Sequence, residues 1–240
     1  MKSIFSESFK NCHAPPLTPR TRPLISVVMK LIVFDCDSTL SSIEGIDELA
    51  RMAGPDAFKK VEALTHAAMN GEVNIDEVFA KRLAIINPST QDVDTVAQQY
   101  IDTVEPTAVD TLSYLKEHGW TAVILSGGFK VIIEPLAAYL GIDTVEAVPL
   151  HFNSDGSYQS FDDTYPTTYN GGKPEIIEKL KAELSPEKIL MVGDGVSDLE
   201  TQANVDHFIG YGGYTPRQKV KENAEFFITE LSELKSLGLL

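Results

Sequence analysis

Three short apolar runs stand out in the chain, at 31–34, 120–125 and 189–192, and each is followed at once by small or acidic residues. Short runs rich in Val, Ile and Leu are typical of strands that are buried on both faces of a parallel sheet. Stretches with helical spacing of apolar residues separate them. The pattern therefore predicts an α/β fold with a mainly parallel sheet.

The segment from Glu44 to about Glu105 follows the first predicted strand and has helical periodicity. A parallel crossover needs only about a dozen residues, so this segment is longer than a connection requires. We therefore predict a small helical cap, inserted after the first strand above the carboxyl end of the sheet. The apolar positions at helical spacing are Ile46, Leu49, Ala50 and Ala53, then Val78, Phe79, Leu83 and Ile86.

These patterns divide the chain into three parts. Residues 29–43 and 105–240 are predicted to form the catalytic core, and residues 44–104 the helical cap. Residues 1–28 hold four prolines and a single acidic residue, which is typical of a disordered extension or a weak transit-like segment. Because Met29 stands just before the first strand, an over-extended start is the alternative, and we favour it.

Charge and cysteine content narrow the function classes. The formal net charge is −15, so a nucleic acid or an anionic membrane is not expected as a partner, because both require a basic face. No run reaches the roughly 18 to 20 apolar residues of a membrane span. The two cysteines, Cys12 and Cys36, favour a reducing, cytoplasmic location over a disulfide. A monomer or a homodimer is equally compatible with the sequence.

Two carboxylates, Asp35 and Asp37, directly follow the first apolar run. A carboxylate at Asp35 can attack phosphorus, while Asp37 can protonate the leaving group and later accept a proton from water. Two anions so close together also favour a hard cation such as Mg²⁺. The alternative is that both residues only close a strand and cap the next helix.

Ser126, Gly127 and Gly128 follow the second apolar run. Without side chains in the way, the two glycine N–H groups can approach phosphate oxygens closely, and Ser126 supplies one more donor. The alternative is an ordinary strand-to-helix turn in which Ser126 is the helix N-cap.

Asp194 lies between two glycines after the third run, and Asp198 follows four residues later. This spacing predicts that Asp194 faces a cation shared with Asp35, and that Asp198 supports the arrangement from behind. A Gly-Asp-Gly hairpin is the alternative, but the residues after Asp198 have helical character.

Lys173 precedes Pro174, which fits the first turn of a helix. An ammonium group at this helix start would offset the charge of the aspartates and of a phosphoryl group. The alternative is a solvated surface lysine.

In order along the chain, these four segments resemble the four motifs of the haloacid dehalogenase superfamily. Within it, residues 44–50, 126–129 and 208–213 are similar to the phosphoserine phosphatases. The resemblance covers about residues 29–228. It implies a Rossmann-like three-layer core, a phosphorylated small amino acid as substrate, Mg²⁺ as cofactor and a role in serine biosynthesis.

The resemblance also implies roles for cap residues. Glu44 would accept hydrogen bonds from the ammonium group of the substrate, and Arg82 would hold its carboxylate with two parallel hydrogen bonds. Met69 and Gly71 would line the rest of the substrate pocket, and Ser197 is a candidate for supporting the phosphate. Without the resemblance, Glu44 and Arg82 would be interpreted as solvated helix residues or members of a helix salt bridge.

Two positions depart from the family pattern. Asn70 stands where a second glycine is usual, and Ile75 stands where phenylalanine is common. Both fall in the predicted cap, so they bear on substrate choice and leave the catalytic assignment intact.

The mechanism that these residues imply has two steps. Asp35 takes the phosphoryl group from O-phospho-L-serine while Asp37 protonates the seryl oxygen, and water activated by Asp37 then releases phosphate. Mg²⁺ would be held by Asp35, the backbone carbonyl of Asp37 and Asp194. The alternatives are a phosphotransferase to a small alcohol such as homoserine, a phosphatase for another small ester, or a non-catalytic phospho-ligand sensor.

Overall fold

A computed structural model of the protein describes residues 29–69 and 75–240. Its strands are β1 (Lys30–Phe34), β2 (Trp120–Phe129), β3 (Thr144–Val148), β4 (Leu150–Phe152), β5 (Tyr158–Phe161), β6 (Lys188–Gly193), β7 (His207–Tyr211) and β8 (Phe226–Ile228). Six of them form one sheet in the order β3-β2-β1-β6-β7-β8, in which neighbouring strands are all parallel. Strands β4 and β5 form a separate antiparallel hairpin.

The helices of the described residues are α1 (Gly45–Met52), α2 (Pro55–Met69), α3 (Ile75–Ile86), α4 (Thr90–Asp102), α5 (Ala108–Glu117), α6 (Lys130–Leu140), α7 (Gly172–Leu184), α8 (Val196–Leu199) and α9 (Gln218–Asn223). Helices α1 to α4 occupy the interval for which the sequence predicts a helical cap. The exact division into core and cap stays a prediction.

The central strand β1 buries both of its faces, because successive side chains of a strand point to opposite sides. Leu31 and Val33 belong to the apolar cluster that includes Ile177 of α7. Ile32 and Phe34 belong to the larger cluster that also contains apolar residues of α5 and α6. Helices therefore cover both faces, which gives the three-layer α/β architecture and confirms the predicted fold class.

The topology brings the candidate residues to one edge of the sheet. The chain leaves β1 toward β2 and β3 on one side, and later returns on the other side of β1 with β6. Ligands of open α/β sheets bind at the carboxyl ends of strands where the strand order reverses in this way. Asp35 follows β1 and Asp194 follows β6, so both lie at this reversal.

Strand β2 differs from the sequence expectation. The apolar run suggests a strand that ends at Leu125, whereas β2 continues through Ser126 to Phe129. Its pairing with β3 shifts register between Leu125 and Phe129. Glycines at 127 and 128 tolerate such an irregularity because they have no side chain to misplace. The Ser-Gly-Gly motif is therefore part of the strand rather than a turn after it.

Within the described residues, no helix combines the length and the apolar character that crossing a membrane requires.

Candidate active site

The centre of the site is a buried group of charges around Lys173. The Lys173 ammonium donates to Asp35 Oδ1 at 2.8 Å and to Asp198 Oδ1 at 2.5 Å. All three side chains are buried. Burial alone would lower the pKa of Lys173, but the carboxylates of Asp198 and Asp35 outweigh it and raise that pKa. Lys173 is therefore a permanent cation between the carboxylates of Asp35, which follows β1, and Asp198, which lies in α8.

Local sequence explains how Lys173 reaches this position. It is the second residue of α7, which begins at Gly172. Gly171 before it has a positive φ of 80°, a conformation that suits glycine. A Cβ at Gly172 would collide with the backbone carbonyl of Pro166, so only glycine allows α7 to start here. The prediction that Lys173 stands at a helix start is confirmed.

Asp194 lies in the turn after β6, and Asp198 lies in the short helix α8 that follows. Asp198 Oδ2 accepts the Gly195 N–H at 2.8 Å, and Asp194 Oδ2 accepts Arg217 Nε–H at 3.0 Å. Carboxylate oxygens of Asp35, Asp194 and Asp198 lie within 4.8 Å of one another, which is close enough to hold one metal ion. Both oxygens of Asp198 already accept hydrogen bonds from protein groups, which suits a supporting role.

The charge balance of this site favours a divalent cation. Among its described residues are five carboxylates, of Asp35, Asp37, Glu44, Asp194 and Asp198, and three cations, of Arg82, Lys173 and Arg217. Burial and then the charge of Asp35 raise the pKa values of Asp194 and Asp198 to about 7. The second cause reflects the excess of negative charge in the site. An all-oxygen donor set with unbalanced negative charge fits Mg²⁺.

Asp37 is held by donors on both of its oxygens. Oδ1 accepts the Gly45 N–H at 2.8 Å and the hydroxyl of Tyr100, and Oδ2 accepts the Ser126 hydroxyl at 3.1 Å. Burial and then the charge of Asp35 raise the pKa of Asp37. A raised pKa and a fixed orientation are the properties of a general acid.

The glycine amides contribute differently from the sequence expectation. The Gly128 N–H, which the sequence assigns to phosphate, donates to Ser126 Oγ at 2.9 Å in this structure. A Cβ on Gly128 would lie 2.8 Å from Asp37 Oδ2, so glycine leaves the space beside that oxygen open. Gly127 and Gly128 both line the cavity described below.

Glu44 lies where the polypeptide enters α1. Its Oε1 accepts the Ser38 hydroxyl at 2.7 Å and is 3.8 Å from Arg217 Nη2. Burial and then the charge of Asp37 raise the pKa of Glu44 to about 8. A cationic ligand group beside Glu44 would relieve this repulsion.

Arg82 of α3 also lines the site. Its Nη1 is 3.5 Å from Thr65 Oγ1, and its buried Nε has no hydrogen-bond partner among the described residues. Burial lowers the pKa of Arg82, while the charges of Asp47 and Glu44 oppose the shift. Among the described residues, no carboxylate forms a salt bridge with this guanidinium group, although a desolvated arginine is normally paired.

A cavity of about 200 Å³ joins these groups. The predicted residues that line it are Asp35, Asp37, Glu44, Arg82, Ser126, Gly127, Gly128, Lys173, Asp194 and Ser197. Asp198 lies behind them, in contact with Lys173. Asn70 and Gly71 and the side chains of Met69 and Ile75 lie outside the described part of the chain, so statements about them remain predictions.

Sequence reasoning missed two polar residues of this site, Arg217 and Tyr100. Arg217 follows β7, and its position after a strand of the same parallel sheet was an available signal. Tyr100 lies on α4 at the helical spacing of Val93, Val96 and Ala97, which indicates only a core position. Its hydroxyl was the remaining signal, because a buried tyrosine normally has a hydrogen-bond partner.

Comparisons with known proteins agree with this architecture. A sequence profile of haloacid dehalogenase-like hydrolases matches residues 29–206. Phosphoserine phosphatase of Bos taurus is 40% identical over 211 residues, which cover 87% of this chain and 92% of that protein. A phosphoserine phosphohydrolase-like protein of Francisella tularensis has a TM-score of 0.77 at 28% identity, over 88% of this chain and 100% of that one. A structure titled as a phospho-aspartyl intermediate analogue of phosphoserine phosphatase has a TM-score of 0.73 at 28% identity, over 87% and 99%.

The profile match spans most of the chain, so the chain belongs to the haloacid dehalogenase-like hydrolase family. The family predicted from the four motifs is thereby confirmed. Within that family, its relative in cattle is a phosphoserine phosphatase, as the narrower resemblance predicted.

Proposed function

We propose that this chain is a Mg²⁺-dependent phosphomonoesterase that hydrolyses O-phospho-L-serine to L-serine and phosphate through an aspartyl-phosphate. The observation that carries the proposal is that Asp35 and Asp37 line one cavity and that Lys173 forms a hydrogen-bonded ion pair with Asp35. The kinship with phosphoserine phosphatases supports the substrate.

In the first step, a carboxylate oxygen of Asp35 attacks phosphorus as the bond from phosphorus to the seryl oxygen breaks. Asp37 gives its proton to that oxygen, so serine leaves as a neutral alcohol. In the second step, Asp37 takes a proton from water, which attacks phosphorus and releases phosphate from Asp35. Lys173 stays charged throughout and stabilises the negative charge on the phosphoryl oxygens.

For the metal, we propose Asp35, Asp194 and the backbone carbonyl of Asp37 as ligands, with Asp198 supporting them from behind. The short distances between the carboxylates and their unbalanced charge support this assignment. When bound, Mg²⁺ neutralises the charge that gathers on the phosphoryl group. Asp198 keeps its supporting position because Lys173 and the Gly195 N–H hold its two oxygens.

For the amino-acid end of the substrate, we propose Glu44 and Arg82 as the binding residues. The raised pKa of Glu44 supports an ammonium group as its ligand. The unpartnered Nε of Arg82 among the described residues supports a carboxylate ligand. Ser197 lines the same cavity and is proposed to contact the phosphate, while Met69 and Gly71 are proposed to complete the pocket.

The proposal extends to the setting of the enzyme. We place it in the cytoplasm as a monomer or a homodimer, acting on a small phosphorylated amino acid rather than on a nucleic acid or a membrane. The buried, unbridged Cys36 and the net charge of −15 support this setting.

The test is a panel of small phosphate esters assayed for phosphate release with Mg²⁺ and with a chelator. We expect O-phospho-L-serine to have the highest kcat/KM, O-phosphoethanolamine a much lower one, and the chelator to stop both reactions. A higher kcat/KM for an ester without a carboxylate would contradict O-phospho-L-serine as the substrate but would still support a phosphatase activity. Added homoserine distinguishes the phosphotransferase, because phosphate would then appear on the alcohol. If no phosphate is released in the presence of Mg²⁺, the alternative of a non-catalytic phospho-ligand sensor is favoured.

A further inference from the structure

Tyr100 joins the helical insertion to the proposed acid of the reaction. It lies near the end of α4 and is only 1% exposed, and its hydroxyl donates to Asp37 Oδ1. A phenol has an ordinary pKa of about 10, so at neutral pH this hydroxyl acts as a donor. Mechanisms in which Asp37 acts alone give Tyr100 no role.

The two oxygens of Asp37 have different surroundings. Oδ1 accepts from Tyr100 and from the Gly45 N–H at 2.8 Å, and neither of these residues lines the cavity. Oδ2 lies 3.1 Å from Ser126 Oγ and next to Gly128, and both of those residues line the cavity. Oδ1 therefore faces the protein, and Oδ2 faces the place where a phosphate ester would bind.

A carboxyl oxygen that accepts two hydrogen bonds has its acceptor sites in use, so the proton of the acid form resides on the other oxygen. We propose that Tyr100 is a positioning residue that, together with the Gly45 N–H, holds Asp37 so that its transferable proton is on Oδ2, facing the leaving group. This inference rests on the proposed function. The proton passes from Asp37 Oδ2 to the seryl oxygen as the phosphorus–oxygen bond breaks, and Tyr100 keeps its own proton.

Gly45 fits the same arrangement. A Cβ at this position would overlap the Tyr100 hydroxyl, so glycine lets the α4 side chain reach Asp37. The first N–H of α1 and a side chain of α4 thus converge on a single oxygen atom.

The substitution Tyr100→Phe removes only the hydroxyl and tests this role through the leaving group. Serine leaves as an alcohol that needs a proton, whereas acetyl phosphate leaves as acetate, whose pKa resembles those of Asp and Glu, at about 4. We expect kcat/KM of the variant to fall about 10-fold or more for O-phospho-L-serine and O-phosphoethanolamine, and less than about 2-fold for acetyl phosphate. The parameter kcat/KM is the right one because it covers steps up to departure of the leaving group.

Tyr211→Phe is the matched control, because Tyr211 is equally buried and does not line the cavity. We expect this substitution to change kcat/KM by a similar factor for all three esters. An equal loss for all three esters in Tyr100→Phe, or no loss for the alkyl esters, would overturn the role of Tyr100. If the wild type hydrolyses O-phosphoethanolamine but not O-phospho-L-serine, the proposed substrate is wrong, and Tyr100 is judged on O-phosphoethanolamine. A wild type inactive on both alkyl esters overturns both proposals.

Discussion

Two halves of the candidate site are organised differently. In the core group, defined by Asp35, Lys173 and Asp198, the charges satisfy one another at 2.8 and 2.5 Å. In the insert group, defined by Glu44 and Arg82, the carboxylate has a pKa raised to about 8, and the guanidinium has a buried Nε without a partner among the described residues. The core residues form direct ion pairs with one another, whereas among the described residues Glu44 has only the 3.8 Å contact with Arg217 and Arg82 forms no ion pair.

This difference has a physical consequence. A buried polar group without a partner costs about 1 to 3 kcal/mol, so a ligand that supplies the partner recovers that free energy on binding. The amino-acid end of the substrate carries an ammonium and a carboxylate group, whose charges are opposite to those of Glu44 and Arg82. The core group should therefore determine the chemistry, and the insert group the choice of substrate.

The largest effect is expected from Asp35→Asn. The amide keeps the shape of the side chain but loses the anionic nucleophile, so phosphate release should fall below detection while the fold remains intact. A phosphate-release assay and a thermal melt check the two halves of this expectation. Substantial turnover by a folded variant would remove Asp35 from the mechanism.

Asp37→Asn should slow phosphate release by about 10²- to 10⁴-fold, because it removes the group that transfers the proton. Steady-state rates on O-phospho-L-serine and acetyl phosphate measure the loss and its dependence on the leaving group. We expect the larger loss in kcat/KM on the seryl ester. If the variant keeps the kcat/KM of the wild type on the seryl ester, Asp37 does not act as the acid.

Asp194→Ala should raise the Mg²⁺ concentration needed for half-maximal activity by about 10-fold or more. In the unchanged enzyme, Ca²⁺ should inhibit, because it binds at about 2.3 to 2.6 Å and Mg²⁺ at about 2.0 to 2.1 Å, so the nucleophile would be misplaced. Metal titrations of activity and of thermal stability give both values. The control is Asp110→Ala, an exposed aspartate of α5. An unchanged Mg²⁺ requirement, or full activity in Ca²⁺, would contradict the metal assignment.

The smallest effect is expected from Arg82→Lys. Lysine cannot make two parallel hydrogen bonds to a carboxylate, so kcat/KM for O-phospho-L-serine should fall about 10- to 100-fold. O-phosphoethanolamine, which has no carboxylate, should be nearly unaffected. Arg51→Lys, in the exposed pair with Glu48 on α1, is the control. An equal loss for both esters would assign Arg82 to structure rather than to substrate binding.

The core group could be predicted from sequence for a physical reason. The carboxyl ends of parallel strands lie at the same edge of a sheet, so Asp35 after Phe34 had to lie near Asp194 and Asp198, which follow Gly193. Pro174 marked the start of α7 and thereby the position of Lys173.

The remaining contacts could not be predicted in the same way. Tyr100 is 63 residues from Asp37, and its spacing on α4 gives no direction for its hydroxyl. The continuation of β2 through Phe129 depends on pairing with β3, which is a tertiary contact that overrides the glycine signal. Which partner a buried polar group has is determined by packing between distant segments, and a local pattern does not contain it.

The central claim is that Asp35 accepts the phosphoryl group while the insert group selects the ester. Its most direct measurement is rapid mixing of the wild-type enzyme with O-phospho-L-serine and Mg²⁺, followed by an acid quench and peptide mass mapping. We predict a transient phosphoryl group on the peptide that contains Asp35, confined to that residue and missing in Asp35→Asn. Release of phosphate without this intermediate, or a phosphoryl group on another side chain such as Ser126, would contradict the account.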